Sequence, residues 1–191
     1  MLKFIYIPTV IFSYTKRQEK KYCLELFKEK DWFKSERFPV FLPQNITDIE
    51  KEISDANKLL KQNIIRLRKT WKQFEKKYFQ IVKTFHYGKL SSRYICHISC
   101  FGPQGKYRHP NKLYIRLRTK DDINQAPITI GHELLHLIFY NFFKSKKLNY
   151  YECEGIVDSL ILRSNLSKIF PRYQKQSIGK VRYKLLKEIL S

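Results

Sequence analysis

The stretch TIGHELLHLIFYNFF, residues 129–143, carries two histidines and a glutamate in the middle of a run in which nearly every other side chain is apolar. His132, Glu133 and His136 fall where a helix buried on most of its circumference is expected. Burying ionisable groups without partners costs several kcal/mol, so such groups are normally paired, hydrogen-bonded or bound to a metal ion. These three residues constrain the fold more than any other feature of the chain.

The spacing of the two histidines favours the metal. Side chains four residues apart on a helix lie about 40° apart around the axis and about 6 Å apart along it. His132 and His136 can therefore both reach one zinc ion at roughly 2.0–2.1 Å. Glu133 is turned about 100° away from His132. We expect it to hold a water molecule and accept its proton rather than to bind the metal.

A catalytic zinc ion needs a third protein ligand and one position open to water. No histidine follows His136, so an upstream histidine or a downstream carboxylate must supply the third ligand. Glu154 and Asp158 lie four residues apart in the apolar stretch ECEGIVDSLIL. We predict that Glu154 binds the metal and that Asp158 accepts the outer N–H of a zinc-bound histidine. Glu152 is the alternative ligand.

The pattern H-E-x-x-H followed by E-x-x-x-D resembles the gluzincin group of zinc metallopeptidases, over about residues 110–160. The resemblance implies one catalytic zinc ion bound by His132, His136 and Glu154. It implies Glu133 as the general base, Asp158 as the outer partner of a ligand, and hydrolysis of peptide bonds in a peptide or protein substrate.

The resemblance also implies a side chain that donates a hydrogen bond to the substrate oxygen, commonly a tyrosine, histidine or arginine. We favour Tyr173 for this role. The other candidates are Tyr150, Tyr151, Arg163 and Tyr183.

Enzymes of this group typically bind a peptide as an added strand at a sheet edge. The stretch KLYIRLR, residues 112–118, comes just before the H-E-x-x-H helix and is the predicted edge. An ordinary internal strand is the alternative. The residues expected to contact the substrate are Leu113, Tyr114, Ile115 and Arg116.

Periodicity predicts the elements around this site. Residues 4–14 read as a strand, and about 16–30 as a helix. The capping-box sequence Thr47–Glu50 opens an apolar helical pattern that continues to about Phe85. Such a helix would be about 60 Å long, so we expect a break or a protruding end.

After this helix the pattern changes to period two. SRYICHISCF and KLYIRLR read as two strands of a hairpin, joined by the loop GPQGKYRHPN. Pro127 is expected to open the H-E-x-x-H helix. A helix carrying Glu154 and a C-terminal helix follow. The predicted class is α+β and zincin-like, with a small mixed sheet, a long backing helix, an active-site helix and a ligand-bearing helix.

The predicted organisation is one compact unit. An N-terminal strand and helix segment, residues 1–46, packs on a metallopeptidase domain, residues 47–191. Residues 4–14 contain Pro8 and no cleavage site of small residues, so they favour a strand over a signal peptide. No run approaches the roughly 20 apolar residues of a membrane span. We therefore predict a cytoplasmic protein.

The charge supports a second interpretation. Lys and Arg number 38 against 17 Asp and Glu, which gives a net charge of +21. This field would attract nucleic acid, although the basic residues are spread along the chain. The alternative function is a basic nucleic-acid-binding or scaffold protein that has the zincin-like fold and no peptidase activity.

Overall fold

The computed structural model describes residues 6–36, 38–45, 47–175 and 179–191, with all side chains in these ranges except those of residues 57–59. The elements are β1 (Thr9–Ser13), α1 (Lys16–Lys28), α2 (Lys30–Ser35), α3 (Ile49–Val82), β2 (Arg93–Ser99), β3 (Gly105–Arg108), β4 (Lys112–Arg116), α4 (Lys120–Ser145), α5 (Tyr150–Arg163), a 3₁₀ helix (Asn165–Lys168) and α6 (Tyr183–Leu190). The α+β class is confirmed. No helix in the described ranges is both long and apolar enough to cross a membrane.

The four strands form one mixed sheet in the order β1-β2-β4-β3. β1 pairs with β2 and β2 with β4 in parallel, while β3 pairs with β4 in antiparallel fashion. The predicted hairpin of β2 and β4 is therefore wrong. The supposed loop between them contains β3, which reverses the chain, so the true hairpin is β3–β4.

The predicted edge strand is also wrong. β4 hydrogen-bonds to β2 on one side and to β3 on the other, so its backbone groups are already paired. Leu113 and Ile115 are completely buried, Tyr114 stacks on Tyr22 at 4.4 Å between ring centroids, and Arg116 pairs with Asp122. Because only two strands were predicted in this region, KLYIRLR was expected at the edge of the sheet. Strand β3, which was not predicted, lies at that edge.

Helix α3 packs under the H-E-x-x-H helix. A break or a protruding end had been expected; its 34 residues run without a break, and its N-cap, Asp48, makes no side-chain capping hydrogen bond. The hydroxyl of Tyr78 is buried and donates to the carbonyl of Gly131, at 2.7 Å. A Cβ on Gly131 would lie 2.6 Å from the ring of Phe170. These contacts hold the turn of α4 that comes directly before His132.

Helix α4 begins earlier than predicted. Thr119 caps it through a capping box with Asp122, and Pro127 lies inside the helix rather than in its first turn. Asp122 also accepts hydrogen bonds from the guanidinium of Arg116, at 2.8–3.1 Å. The cap and this ion pair stabilise the additional turns and tie the start of α4 to the end of β4.

Candidate metal centre

Helices α4 and α5 bring the three predicted ligands together. His132 and His136 project from one face of α4, and Glu154 lies in the second turn of α5. Glu152, the alternative ligand, takes another role, because it forms the capping box of α5 with Asn149 and pairs with Arg182. Glu154 is therefore the carboxylate that the fold delivers to the histidines.

The three side chains meet at short distances. Nε2 of His132 lies 3.0 Å from Nε2 of His136 and 3.0 Å from Oε2 of Glu154, and Nε2 of His136 lies 3.2 Å from Oε1 of Glu154. In a tetrahedral zinc site with bonds of about 2.0–2.1 Å, ligand atoms are about 3.3 Å apart. All three side chains are buried. The cluster can hold a metal ion.

The electrostatics of the cluster suit a cation. Burial opposes ionisation of Glu154, but the two histidines outweigh it and hold the pKa of Glu154 below its ordinary value. Glu154 is therefore a carboxylate in neutral solution, as a metal ligand must be. The two Nε2 atoms of the histidines face each other at 3.0 Å, so a proton or a cation must lie between them. The same positive charge also stabilises the carboxylate of Glu154.

Outer contacts hold each histidine ring. Nδ1 of His132 lies 2.8 Å from the hydroxyl of Tyr173, which donates a hydrogen bond to Oδ1 of Asp158. Oδ1 of Asp158 itself lies 3.9 Å from that nitrogen, within ion-pair distance, and the hydroxyl of Tyr173 contacts both atoms. The predicted role of Asp158 as acceptor of the outer N–H stays a prediction. The ring of His136 stacks on Tyr107 at 4.7 Å. Its Nδ1 has no hydrogen-bond partner among the described residues.

Tyr173, the favoured substrate donor, lines the cavity above the cluster, and its hydroxyl is engaged on the outer side of His132. Its hydroxyl contacts the outer nitrogen of His132, away from the nitrogen that faces Glu154. Burial and the hydrogen bond to Asp158 raise its pKa, so it remains protonated. This geometry makes Tyr173 a positioning residue for His132.

Among the other donor candidates, Tyr150 lines the cavity above the cluster. Burial raises the pKa of its phenol, and the neighbouring carboxylate of Glu154 raises it further. Tyr151 lines the same cavity. Arg163 and Tyr183 form a cation–π pair with each other, at 5.0 Å, and neither is among the residues that line the cavity in the described part of the chain.

The cluster opens into a cavity of ≈ 870 Å³ whose lining includes Glu133. Burial raises the pKa of Glu133 to about 7. Of the two neighbouring groups, His132 lowers this pKa and the carboxylate of Glu154 raises it. The carboxylate lies next to Gly105 of β3, where a Cβ would stand 2.5 Å from Oε1 of Glu133. Strand β3 therefore approaches the acid as closely as glycine allows.

The true edge of the sheet borders this cavity. Gln104 accepts a hydrogen bond from the N–H of Arg116, so the alternation of an antiparallel pair directs the backbone N–H and C=O of Gly105 and Tyr107 away from β4. In the described ranges no strand pairs with that side of β3. No sequence pattern indicated that β3 is the edge strand, because GKYR does not alternate polar and apolar residues as a strand does.

No protein-family model matches this chain, and no curated protein or solved structure matches it significantly.

Proposed function

We propose that this protein is a zinc-dependent metallopeptidase of the gluzincin type. One observation carries the proposal: His132, His136 and Glu154 place three ligand atoms within 4.8 Å of one another, beside a cavity that His132, Glu154 and Glu133 line. Two imidazoles and one carboxylate are a donor set typical of catalytic zinc sites. The zincin-like description of the fold is part of the same proposal.

The chain's own groups account for the proton transfers. A bound zinc ion supplies Lewis-acid chemistry, since it acidifies water and polarises a carbonyl group. The carboxylate of Glu133 accepts a proton from the attacking water and then donates it to the amine that leaves. Tyr150 is the tyrosine best placed to contact the substrate oxygen, because it lies beside Glu154 at the cavity.

A peptide can add to β3 as a further strand. The outward N–H and C=O groups of Gly105 and Tyr107 supply the main-chain hydrogen bonds that such a strand needs. Because Gly105 is adjacent to Glu133, a peptide bound there would pass the general base. The peptide is still proposed to bind as an added strand, but the strand that it pairs with is β3 instead of β4.

Zinc content and hydrolysis, measured on the same protein samples, test the proposal. We expect the wild type to contain about one zinc ion by elemental analysis and to cleave an unfolded protein substrate, with fragments detected by mass spectrometry. Glu133→Gln should keep zinc and lose hydrolysis. Glu154→Ala should lose much of the zinc, whereas the control Glu152→Gln, which changes the cap of α5, should keep it.

Two results would contradict the proposal. A wild type without zinc would leave the cluster as an ordinary buried polar group. Unchanged hydrolysis in Glu133→Gln would show that the cleavage comes from elsewhere.

The alternative function, a nucleic-acid-binding or scaffold protein, is favoured by helix α3. Lys61, Lys69, Lys72 and Lys76 are exposed on that helix, and the acid nearby, Glu75, turns inward to hydrogen-bond the N–H of Val10 at 2.7 Å. Binding to a random DNA duplex should then be micromolar or tighter at physiological salt and should weaken steeply as salt is added. Weak binding without salt dependence would exclude this function.

A further inference from the structure

One wall of the cavity comes from the N-terminal segment rather than from the helices that carry the metal ligands. Trp32 and Phe33 lie on α2, and Phe38 lies in the connector after it. Their ring centroids are 5.2–6.1 Å apart, so the three rings form one cluster, which we name the aromatic wall. The metal site does not need this wall, since no ligand or outer contact comes from it.

Trp32 is the unusual member of the aromatic wall. Its side chain is 48% exposed, whereas Phe33 beside it is 3% exposed and Trp71, the chain's other tryptophan, is 1% exposed. Exposed tryptophan in a concave site leaves a large apolar surface in water, and such surfaces are characteristic of binding positions. Folding alone does not explain its place, because Phe33 already fills the core side of α2.

Contacts on both sides fix the aromatic wall relative to the catalytic residues. Lys106 of β3 pairs with Glu29 and lies over the ring of Phe33, at 5.9 Å. On the other side, Glu36 accepts a hydrogen bond from the hydroxyl of Tyr151 on α5, at 3.3 Å. The wall is thus connected to the edge strand and to the helix that carries the third ligand.

Three charged side chains that line the cavity are engaged with other groups. Lys106 pairs with Glu29, Arg116 pairs with Asp122, and Glu36 receives the tyrosine hydroxyl. Pro39 and Pro103 add further apolar lining. A large apolar side chain therefore gains more from this position than a charged one.

We infer that the aromatic wall is a specificity pocket for a large apolar or aromatic side chain of the peptide substrate. The N-terminal segment thereby selects the residue that is presented to the metal site. This inference rests on the proposed function, because it takes a peptide lying along β3 as the ligand.

Binding measured without hydrolysis tests the inference. The protein is the zinc-loaded Glu133→Gln variant, and the probes are acetyl-Ala-Ala-Phe-Ala-Ala-amide and the same peptide with alanine in place of phenylalanine. We expect the phenylalanine peptide to bind about tenfold more tightly by calorimetry. It should also shift the tryptophan fluorescence, and a further Trp32→Phe change should abolish that shift because Trp71 is buried.

A further Trp32→Ala change should reduce the affinity for the phenylalanine peptide to that for the alanine peptide, which should itself change little. The matched control is Ile65→Ala, which removes a 68% exposed apolar side chain from α3 and should leave both affinities unchanged. Thermal unfolding of each variant checks that it is folded. Equal affinities for the two peptides, no binding of either, or a preference that survives Trp32→Ala would overturn the inference.

Hydrolysis by the wild type separates this inference from the proposed function. Cleavage of both peptides at equal rates, with no effect of Trp32→Ala, would leave the peptidase standing and remove the pocket. A phenylalanine preference in binding that depends on Trp32, without any cleavage by the zinc-loaded wild type, would support the pocket and contradict the peptidase.

Discussion

Substituting Gly105 by alanine should disturb Glu133, the proposed general base, without touching a proposed metal ligand. The new Cβ would lie 2.5 Å from Oε1 of Glu133 and 2.5 Å from Cγ2 of Thr129. A carbon atom normally approaches such atoms to about 3.3–3.8 Å, so β3 and the acid must separate by about 1 Å. Overpacking of this kind typically costs about 1–3 kcal/mol of folding free energy.

The expected loss of activity follows from the displacement. A shift of about 1 Å between catalytic group and substrate can lower the rate about 100-fold. We expect Gly105→Ala to unfold at a lower urea concentration and to hydrolyse about 100-fold more slowly, with unchanged zinc content. Adding Thr129→Ser, which removes only Cγ2, should restore part of the lost stability.

Gly88→Ala is the matched control, because the atoms nearest to its Cβ would belong to the side chains of Ile138, at 3.0 Å, and Phe139. It should affect stability and leave hydrolysis by the folded protein near the wild-type rate. Normal stability and normal hydrolysis in Gly105→Ala would refute the close approach of β3 to Glu133. Parallel loss of zinc and activity would show that the strand supports the ligands rather than the base.

Three further changes test other parts of the structure. Burial raises the pKa of Glu19 to about 7 from 4.5, so the folded chain holds this proton over a range where the unfolded chain has lost it. The free energy of unfolding should fall by about 3 kcal/mol as pH rises through this window, and Glu19→Gln should remove that decrease in urea titrations. A Cβ on Gly155 would lie 2.4 Å from the carbonyl oxygen of Lys180, so Gly155→Ala should lower the melting temperature; an unchanged value would exclude that close packing. Tyr173→Phe removes the hydroxyl that contacts His132 and should weaken zinc affinity about 10–100-fold in chelator competition while hydrolysis at saturating zinc persists. Lost turnover with normal zinc affinity would instead favour a substrate-donor role.

The cluster of ligands could be anticipated because helix geometry is local. His132 and His136 must share a face of α4 whatever the rest of the chain does, since 3.6 residues complete each turn. Glu154 was identifiable for a similar reason, as an acid in a strongly apolar helical stretch. The roles of these residues as zinc ligands stay predictions, whereas their convergence is a property of the fold.

The order of the strands was not available from local patterns. GKYR is short, polar and preceded by a glycine and proline loop, so it reads as part of a loop, yet in the fold it is the edge strand β3. Its pairing with β4 depends on backbone hydrogen bonds between segments whose side chains carry little register information. This one strand moved the predicted substrate edge from Leu113–Arg116 to Gly105 and Tyr107.

The sequence by itself determined which ionisable side chains lie in apolar helical stretches and could therefore hold a cation together, because helical periodicity acts over a few residues. Only the tertiary structure decided what surrounds this cluster of side chains. Tyr173 reaches His132 across 41 residues of chain, and the N-terminal Trp32 reaches the same cavity from the other direction. Contacts of this kind arise from the packing of distant elements, which no local pattern of residues encodes.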